Sequence, residues 1–357
     1  MRRWIFPNVR LYSFCQSKMA RSRRRYNIYS QPGLFDILNN RIDANPDESG
    51  LFEAHKGGDI VEDQETDAVI PALHENSSQR LKFISLGSGS SGNCAYLGTS
   101  NWGILIDGGV DVEKVEESLA RHGIEMGHVI GVILTHDHSD HANYVYSIMR
   151  NFRHMAVFCT PRTLNGLLRR HGMSGRLKDY HHPIYKEIPF NIKDFKLTAF
   201  EVSHDGTDNV GYMIEWGKHR FVIATDMGFI GERAQFYMRQ ATSLMIESDY
   251  DEQMLIKGHY PQYLKSRIMA QRGHLSNLQV SDFLSKHWTP LLTHVFLCHL
   301  SKDNNTPAIA LEAAREALGR AGAERVGDCS EDLFNREAPV QLYALPRFDA
   351  SPLFYIR

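Results

Sequence analysis

"VILTHDHSDHANY" (Val132–Tyr144) opens as an apolar strand and then places three histidines and two aspartates within six positions. His136, Asp137, His138, Asp140 and His141 have competing charge and hydrogen-bond needs, which makes them a poor choice for a turn unless something binds them. A divalent cation satisfies most of them at once, since imidazole nitrogen suits zinc and a mixed nitrogen and oxygen set leaves room for water. After a strand, His136 and His138 alternate so that both can face one ion. Asp140 and His141 then face a second. The competing description is a solvated turn that happens to be histidine-rich, but a chance match at all four positions is rare, on the order of a few in a thousand.

Working outward, apolar strands alternate with helices from Leu81 onward. "LKFISLGSGSSGNCAYLGT" (81–99) gives two short strands around a Gly/Ser loop, and "WGILIDGG" (102–109) adds another strand and its turn. "DVEKVEESLARHG" (111–123) is amphipathic with a glycine stop and predicts a helix. The alternation continues through "MAVFCT", "PRTLNGLLRRHG", "FKLTAFEVSH", "VGYMIEWGKHRFVIATDMG", "SLMIESD" and "LTHVFLCHLS". Late helices are expected at "NLQVSDFLSKHW" and "PAIALEAAREALGRAG". Strands with polar C-terminal ends, interleaved with helices, predict one layered α/β domain over 81–357.

The 357 residues are 42% hydrophobic and 23% charged, ordinary globular values, and a net charge of −2 argues neither for nor against nucleic acid. Five scattered cysteines (Cys15, Cys94, Cys159, Cys298 and Cys329) form no C-x-x-C pair. That excludes a cysteine zinc knuckle and suits a reducing compartment. No apolar run reaches about 18 residues, so no membrane span is expected.

With its His-x-His-x-Asp-His stretch, the sequence resembles the metallo-β-lactamase superfamily, which implies an αββα four-layer sandwich. "SLGSGSSGNC", "THDHSDH", "VSHD" followed by "GY", "ATDMG", "GHLSN" and "HLSKDNNTP" are together similar to the YycJ/WalJ branch, whose site is like that of ribonuclease Z. The likeness spans roughly 81–346. It implies one metal held by His136, His138 and His204 and a second held by Asp140, His141 and His299, with Asp226 bridging them. His204, Asp226 and His299 each close an apolar strand, whereas His294, the competitor of His299, precedes its strand. Two divalent ions are implied, zinc first, with manganese fitting similar donors. They would share a water of lowered pKa as nucleophile, giving metal-dependent 5′-to-3′ exonuclease activity on DNA.

By the same resemblance, His274 in "QRGHLSN" would protonate the leaving oxygen or hold the phosphate. Glu247 in "MIESD" is the carboxylate expected to keep it charged. Otherwise His274 is a residue that merely precedes an N-capping Ser276. Asp140 counts among the catalytic groups as well as the ligands. One departure is Tyr250, where the branch usually carries a histidine.

The Gly/Ser loop is followed by no Lys-Ser/Thr pair, which argues against P-loop nucleotide binding. Ser88 and Asn93 in it are candidate substrate contacts, and Asp107 is expected to brace the metal loop. Lys257, Lys265, Arg267 and Arg272 could track a phosphate backbone, or line a solvated helix face. The same fold and ligands also serve hydrolysis of a small ester, thioester or lactone, or RNA processing. A scaffold protein with a decayed site is disfavoured because every ligand position is filled.

Residues 1–35 hold eight Lys or Arg and no acid, and residues 36–80 hold eleven acids against three bases. Neither block has sustained periodicity, so 1–80 reads as a disordered tail. "QPGLF" resembles the bacterial sliding-clamp motif, with Gln31, Leu34 and Phe35 as the anchors. "MRRWIFPNVRLYS" resembles a mitochondrial transit peptide; the rival is a bacterial chain starting at Met19. The clamp motif and the bacterial distribution of the branch favour the rival, hence the cytoplasm.

Overall fold

The apolar runs pair into two mixed sheets. A computed structural model describes residues 80–329 and 333–356, so the expectations for the N-terminal tail, its clamp motif and its targeting lie outside the described residues. In chain order the first sheet takes β1 (Leu81–Gly87), β2 (Cys94–Gly98), β3 (Gly103–Ile106), β4 (Val129–Ile133), β5 (Ala156–Cys159) and β6 (His181–Pro183). The second takes β7 (Phe190–Ile192), β8 (Phe195–Glu201), β9 (Val210–Trp216), β10 (His219–Ala224), β11 (Ser243–Glu247), β12 (His294–Cys298), β13 (Val326–Gly327) and β14 (Val340–Ala344). β15 (Phe354–Ile356) returns to the first sheet. The strand orders are β15-β1-β2-β3-β4-β5-β6 and β13-β14-β12-β11-β10-β9-β8-β7.

Each sheet has an antiparallel half and a parallel half. β1 to β3 and β7 to β10 are antiparallel, whereas β3 to β6 and β10 to β14 are parallel. The parallel strands read as continuous apolar runs (Val129–Ile133, Ser243–Glu247, His294–Cys298) because both of their faces are covered.

Side-chain alternation sets the layers. Phe83 of β1 turns inward and meets Phe221 of β10 and Phe296 of β12, with ring centroids 4.9 and 4.7 Å away. Its neighbours Ile84 and Leu86 turn outward, onto Val115, Ile148 and Leu167 of the helices Val112–Ala120, Val145–Asn151 and Pro161–Arg169. Across the molecule, Val222 and Ala224 turn outward to Ala234, Leu284 and Ala314 of the helices Glu232–Met238, Asn277–His287 and Pro307–Arg320. The result is the expected αββα sandwich. Among the described residues, no helix is long and apolar enough to cross a membrane.

Helix starts follow the sequence signals. Thr160 and Thr306 cap helices that begin with Pro161 and Pro307. Ser276 and Gln279 form a capping box at Asn277–His287, which fixes the chain just after His274.

Candidate metal centre

The polar residues collect where strands end: Asp107 after β3, His136 after β4, His204 after β8, Asp226 after β10, Glu247 at the end of β11 and His299 after β12. Asp107, Asp226 and His299 have φ of 61°, 53° and 55°, a left-handed backbone that side chains avoid. Three such residues in one cluster hold strain of about 1–3 kcal/mol each, which functional sites tolerate because they need the side chains aimed. Gly109 makes the crowding feasible, since a Cβ there would lie 1.6 Å from the Asp140 carbonyl oxygen. Gly108 N–H donates to the His141 carbonyl at 2.7 Å and joins the two turns.

Ligand-capable atoms gather in two main sets. His136, His138 and His204 have ring nitrogens within 4.8 Å of one another, and so do the donor atoms of Asp140, His141 and His299. Asp226 sits between them, with Oδ2 2.9 Å from His141 Nε2 and Oδ1 3.4 Å from His299 Nε2. It also groups with His136 and His141. His299 is shared with another group, made with Asp226, Glu247 and His274. His294 opens β12, at the strand's opposite end, and its ring meets the Thr293 hydroxyl at 2.9 Å.

Three of the five imidazoles have their outer nitrogen hydrogen-bonded, and a fourth, His138, has it near a carboxylate. His141 Nδ1 meets Asp107 Oδ2 at 2.8 Å, His204 Nδ1 meets the Gly273 carbonyl at 3.0 Å, and His136 Nδ1 meets the Thr135 hydroxyl at 2.9 Å. His138 reverses its ring: Nε2 faces Asp205 at 3.3 Å and Nδ1 lies 3.2 Å from His204 Nε2. With protons fixed outside, the lone pairs point inward and at one another. His136 Nε2 and His299 Nε2 are buried with no hydrogen-bond partner. Converging, unpartnered donors of this kind are costly unless a cation joins them, so the residues fit a metal.

Charge agrees with the geometry. Burial holds His136 well below the usual histidine range and brings His204 to about 4, so both are neutral imidazoles able to bind a cation. Burial opposes protonation of His141 and His299 too, but Asp226 and neighbouring acids push both well above that range. The carboxylate-rich half of the centre therefore demands positive charge. Asp140, despite burial, is lowered to about 2 beside His141.

His274 stands at the edge of this centre. Its Nδ1 lies 2.6 Å from Glu247 Oε1 and 3.5 Å from Asp226 Oδ1. Glu247 is fully buried, and its other oxygen accepts from the Met227 and Leu275 amides at 2.7 and 3.2 Å. Burial alone would lower the pKa of His274; Glu247 raises it to about 9.

Other sequence candidates occupy different positions. Ser88 is buried and its hydroxyl accepts from the His299 amide at 2.9 Å. Asn93 is buried too, with Nδ2 3.2 Å from Asp140 Oδ2 and 2.9 Å from His141 Nε2. Both are engaged in holding the ligand loops. Lys265 donates to the Ile256 and Gly258 carbonyls, both at 2.7 Å, and so ties down its own segment. Arg267 reaches Asp205 at 2.8 Å and Arg272 donates to the His204 carbonyl at 3.0 Å, which puts both beside the first histidine set. Tyr250 is buried and pairs with Ser276 under the His274 loop; burial raises its hydroxyl to about 12.

Sequence reasoning assigned no role to Asp137. Its carboxylate turns away from the centre and accepts from the Thr207 amide and hydroxyl at 2.8 and 2.5 Å, securing the loop that carries His204. A Cβ on Gly166 would fall 2.0 Å from Asp137 Oδ2, and that glycine was the one available signal.

Comparison with known proteins places this geometry. The family model described as "Beta-lactamase superfamily domain" matches residues 103–286. The chain is 28% identical over 248 residues to Exodeoxyribonuclease YycJ of Bacillus anthracis, covering 68% of this chain and 90% of that one. It is 29% identical over 257 residues to Exodeoxyribonuclease WalJ of Streptococcus pneumoniae, covering 71% and 95%. The crystal structure of the metallo-beta-lactamase fold protein YhfI from Bacillus subtilis superposes with a TM-score of 0.56 at 12% identity, over 77% of this chain and 99% of that one. That last likeness is one of fold alone.

Proposed function

The chain belongs to the beta-lactamase superfamily and is a metal-dependent hydrolase, and from that premise we propose a two-metal phosphodiesterase that releases nucleotides from the 5′ end of DNA. His136, His138 and His204 would hold one ion and Asp140, His141 and His299 the other, with Asp226 between them. Zinc suits this nitrogen and oxygen set, and manganese fits similar ones. When bound, such ions lower the pKa of a shared water and offset charge on a phosphate.

The protein's own groups do the rest. Asp226 adjoins both ligand sets, with its two oxygens beside His141 and His299 and one of them grouped with His136 as well. Glu247 accepts the Nδ1–H hydrogen bond of His274 and keeps the ring charged, which leaves Nε2–H free to protonate a departing sugar oxygen or to hold a phosphate oxygen. Arg272, anchored on the His204 carbonyl, brings positive charge to the rim. The single observation carrying the proposal is the His274–Glu247 pair at 2.6 Å, set 3.5 Å from Asp226: a charged acid beside a paired-cation site suits a leaving alkoxide. Relatives named exodeoxyribonucleases support the choice of DNA.

The test incubates purified protein with 5′-labelled DNA and RNA, single- and double-stranded, together with a lactone and added zinc or manganese. Nucleotide release from DNA 5′ ends, lost in His136→Ala, is the expected result. Lactone cleavage with untouched nucleic acid would overturn it. The proposal includes a sliding clamp as partner through Gln31, Leu34 and Phe35; deleting residues 31–35 should weaken clamp pulldown and leave activity intact.

A further inference from the structure

We propose that the exposed segment 256–272 is a landing strip for a DNA strand, in which Tyr263 stacks on a base and Arg267 takes the phosphate next to the one being cut. This rests on the phosphodiesterase reading above. Three observations converge on it.

The first is charge. Residues 253–281 contain Lys257, Lys265, Arg267 and Arg272 and not one Asp or Glu. A stretch with bases and no acids complements a polyanion.

The second is an unusual helix. Gln262–Ile268 buries none of its residues. Tyr263 is 75% exposed, and Ile256 and Met269 are exposed nearby. Isolated helices this short do not persist in water, so this one is held by its tethers, the Lys265 bonds to the Ile256 and Gly258 carbonyls among them. An aromatic ring presented on a pinned, solvent-facing helix has the form of a stacking platform. Stacking tolerates every base, as an enzyme digesting a strand of any sequence requires.

The third is position. Arg267 Nε and Nη2 both donate to Asp205 Oδ2, at 3.1 and 2.8 Å, and Asp205 Oδ1 lies 3.3 Å from His138 Nε2 and 3.5 Å from His204 Nε2. Tyr263 and Arg267 are four residues apart on one helix face, about 6 Å along the axis. A strand with its terminal phosphate at the metal centre therefore meets the guanidinium first and the ring one step later. Asp205 holds Arg267 in place before DNA arrives, and the guanidinium offers further N–H donors to a phosphate.

The experiment measures anisotropy of a fluorescein-labelled oligothymidine bound to the full, metal-loaded chain. Tyr263→Ala should weaken binding about tenfold, while Tyr263→Phe binds like the unmodified protein because the ring, not the hydroxyl, stacks. Arg267→Ala should weaken binding and reduce the logarithmic salt slope by roughly 0.7, one phosphate contact on a single strand. Melting curves check that each exposed-site variant stays folded. Unchanged affinity in both Tyr263→Ala and Arg267→Ala would overturn the landing strip. Cleavage of bis(p-nitrophenyl) phosphate without Tyr263-dependent DNA binding would overturn the strip and leave the phosphodiesterase reading standing. Tyr263-dependent binding in a protein that cuts no phosphodiester would support the strip and sink that reading.

Discussion

Asp107 Oδ2 lies 2.8 Å from His141 Nδ1 while Asp107 Oδ1 accepts the Thr135 amide at 2.8 Å, so one buried carboxylate fixes both ends of the histidine-rich turn. It also fixes a tautomer. With the proton on Nδ1, the lone pair of His141 Nε2 faces Asp226 and the centre. Asp107→Asn would offer an amide N–H to Nδ1 and push the proton to Nε2. Metal affinity should fall about 10- to 100-fold, and activity should return at high metal concentration. Chelator competition measures the first and metal titration the second; wild-type affinity would remove the tautomer argument.

In the proposed reaction His274 protonates the leaving oxygen and Glu247 acts through His274, so the cost of losing them depends on what leaves. His274→Ala should lower turnover of DNA about 10²- to 10⁴-fold. A p-nitrophenyl ester needs no proton to depart and should lose far less. Glu247→Gln should follow the same pattern more weakly, with metal content unchanged in both variants. Equal losses on both substrates would assign His274 to binding instead of proton transfer.

Gly109→Ala tests the close approach of two loops. The added methyl would meet the Asp140 carbonyl at 1.6 Å, and backbone on both sides cannot yield cheaply. A destabilisation of about 3 kcal/mol is expected, or roughly 6–12 °C in Tm for a domain of this size. Gly123→Ala is the contrast: no atom lies within 4 Å of its Cβ, and its cost comes from a φ of 69° alone. Thermal melts of the two should differ clearly.

Much of the architecture was legible because the strand-end polar residues carry two signals at once, an apolar run and then a histidine or aspartate. His136 and His138 came from the histidine-rich motif after its strand, and His204, Asp226 and His299 from the family resemblance, with their strand-end positions in support. Residues that act through the backbone left no such trace. Ser88 and Asn93 looked like substrate contacts because a Gly/Ser loop resembles a phosphate cradle, yet their side chains hold His299 and Asp140. Lys265 looked like a phosphate ligand, but it bonds its own segment's carbonyls, a local choice that spacing does not encode. The left-handed backbone at Asp107, Asp226 and His299 was invisible as well, since none of them is glycine. Asp137, inside the most informative motif, faces away from the centre because it sits between His136 and His138, which both turn toward that centre.

In the proposed centre, five imidazoles and two carboxylates converge on a pair of divalent ions. Elemental analysis of freshly purified protein measures it most directly, together with nuclease activity before and after chelation. The expected values are about two transition ions per chain and activity that chelation abolishes and zinc or manganese restores, with His204→Ala and Asp140→Ala each losing close to one ion. Less than one tightly held ion per chain, with no activity gained on supplementation, would contradict it.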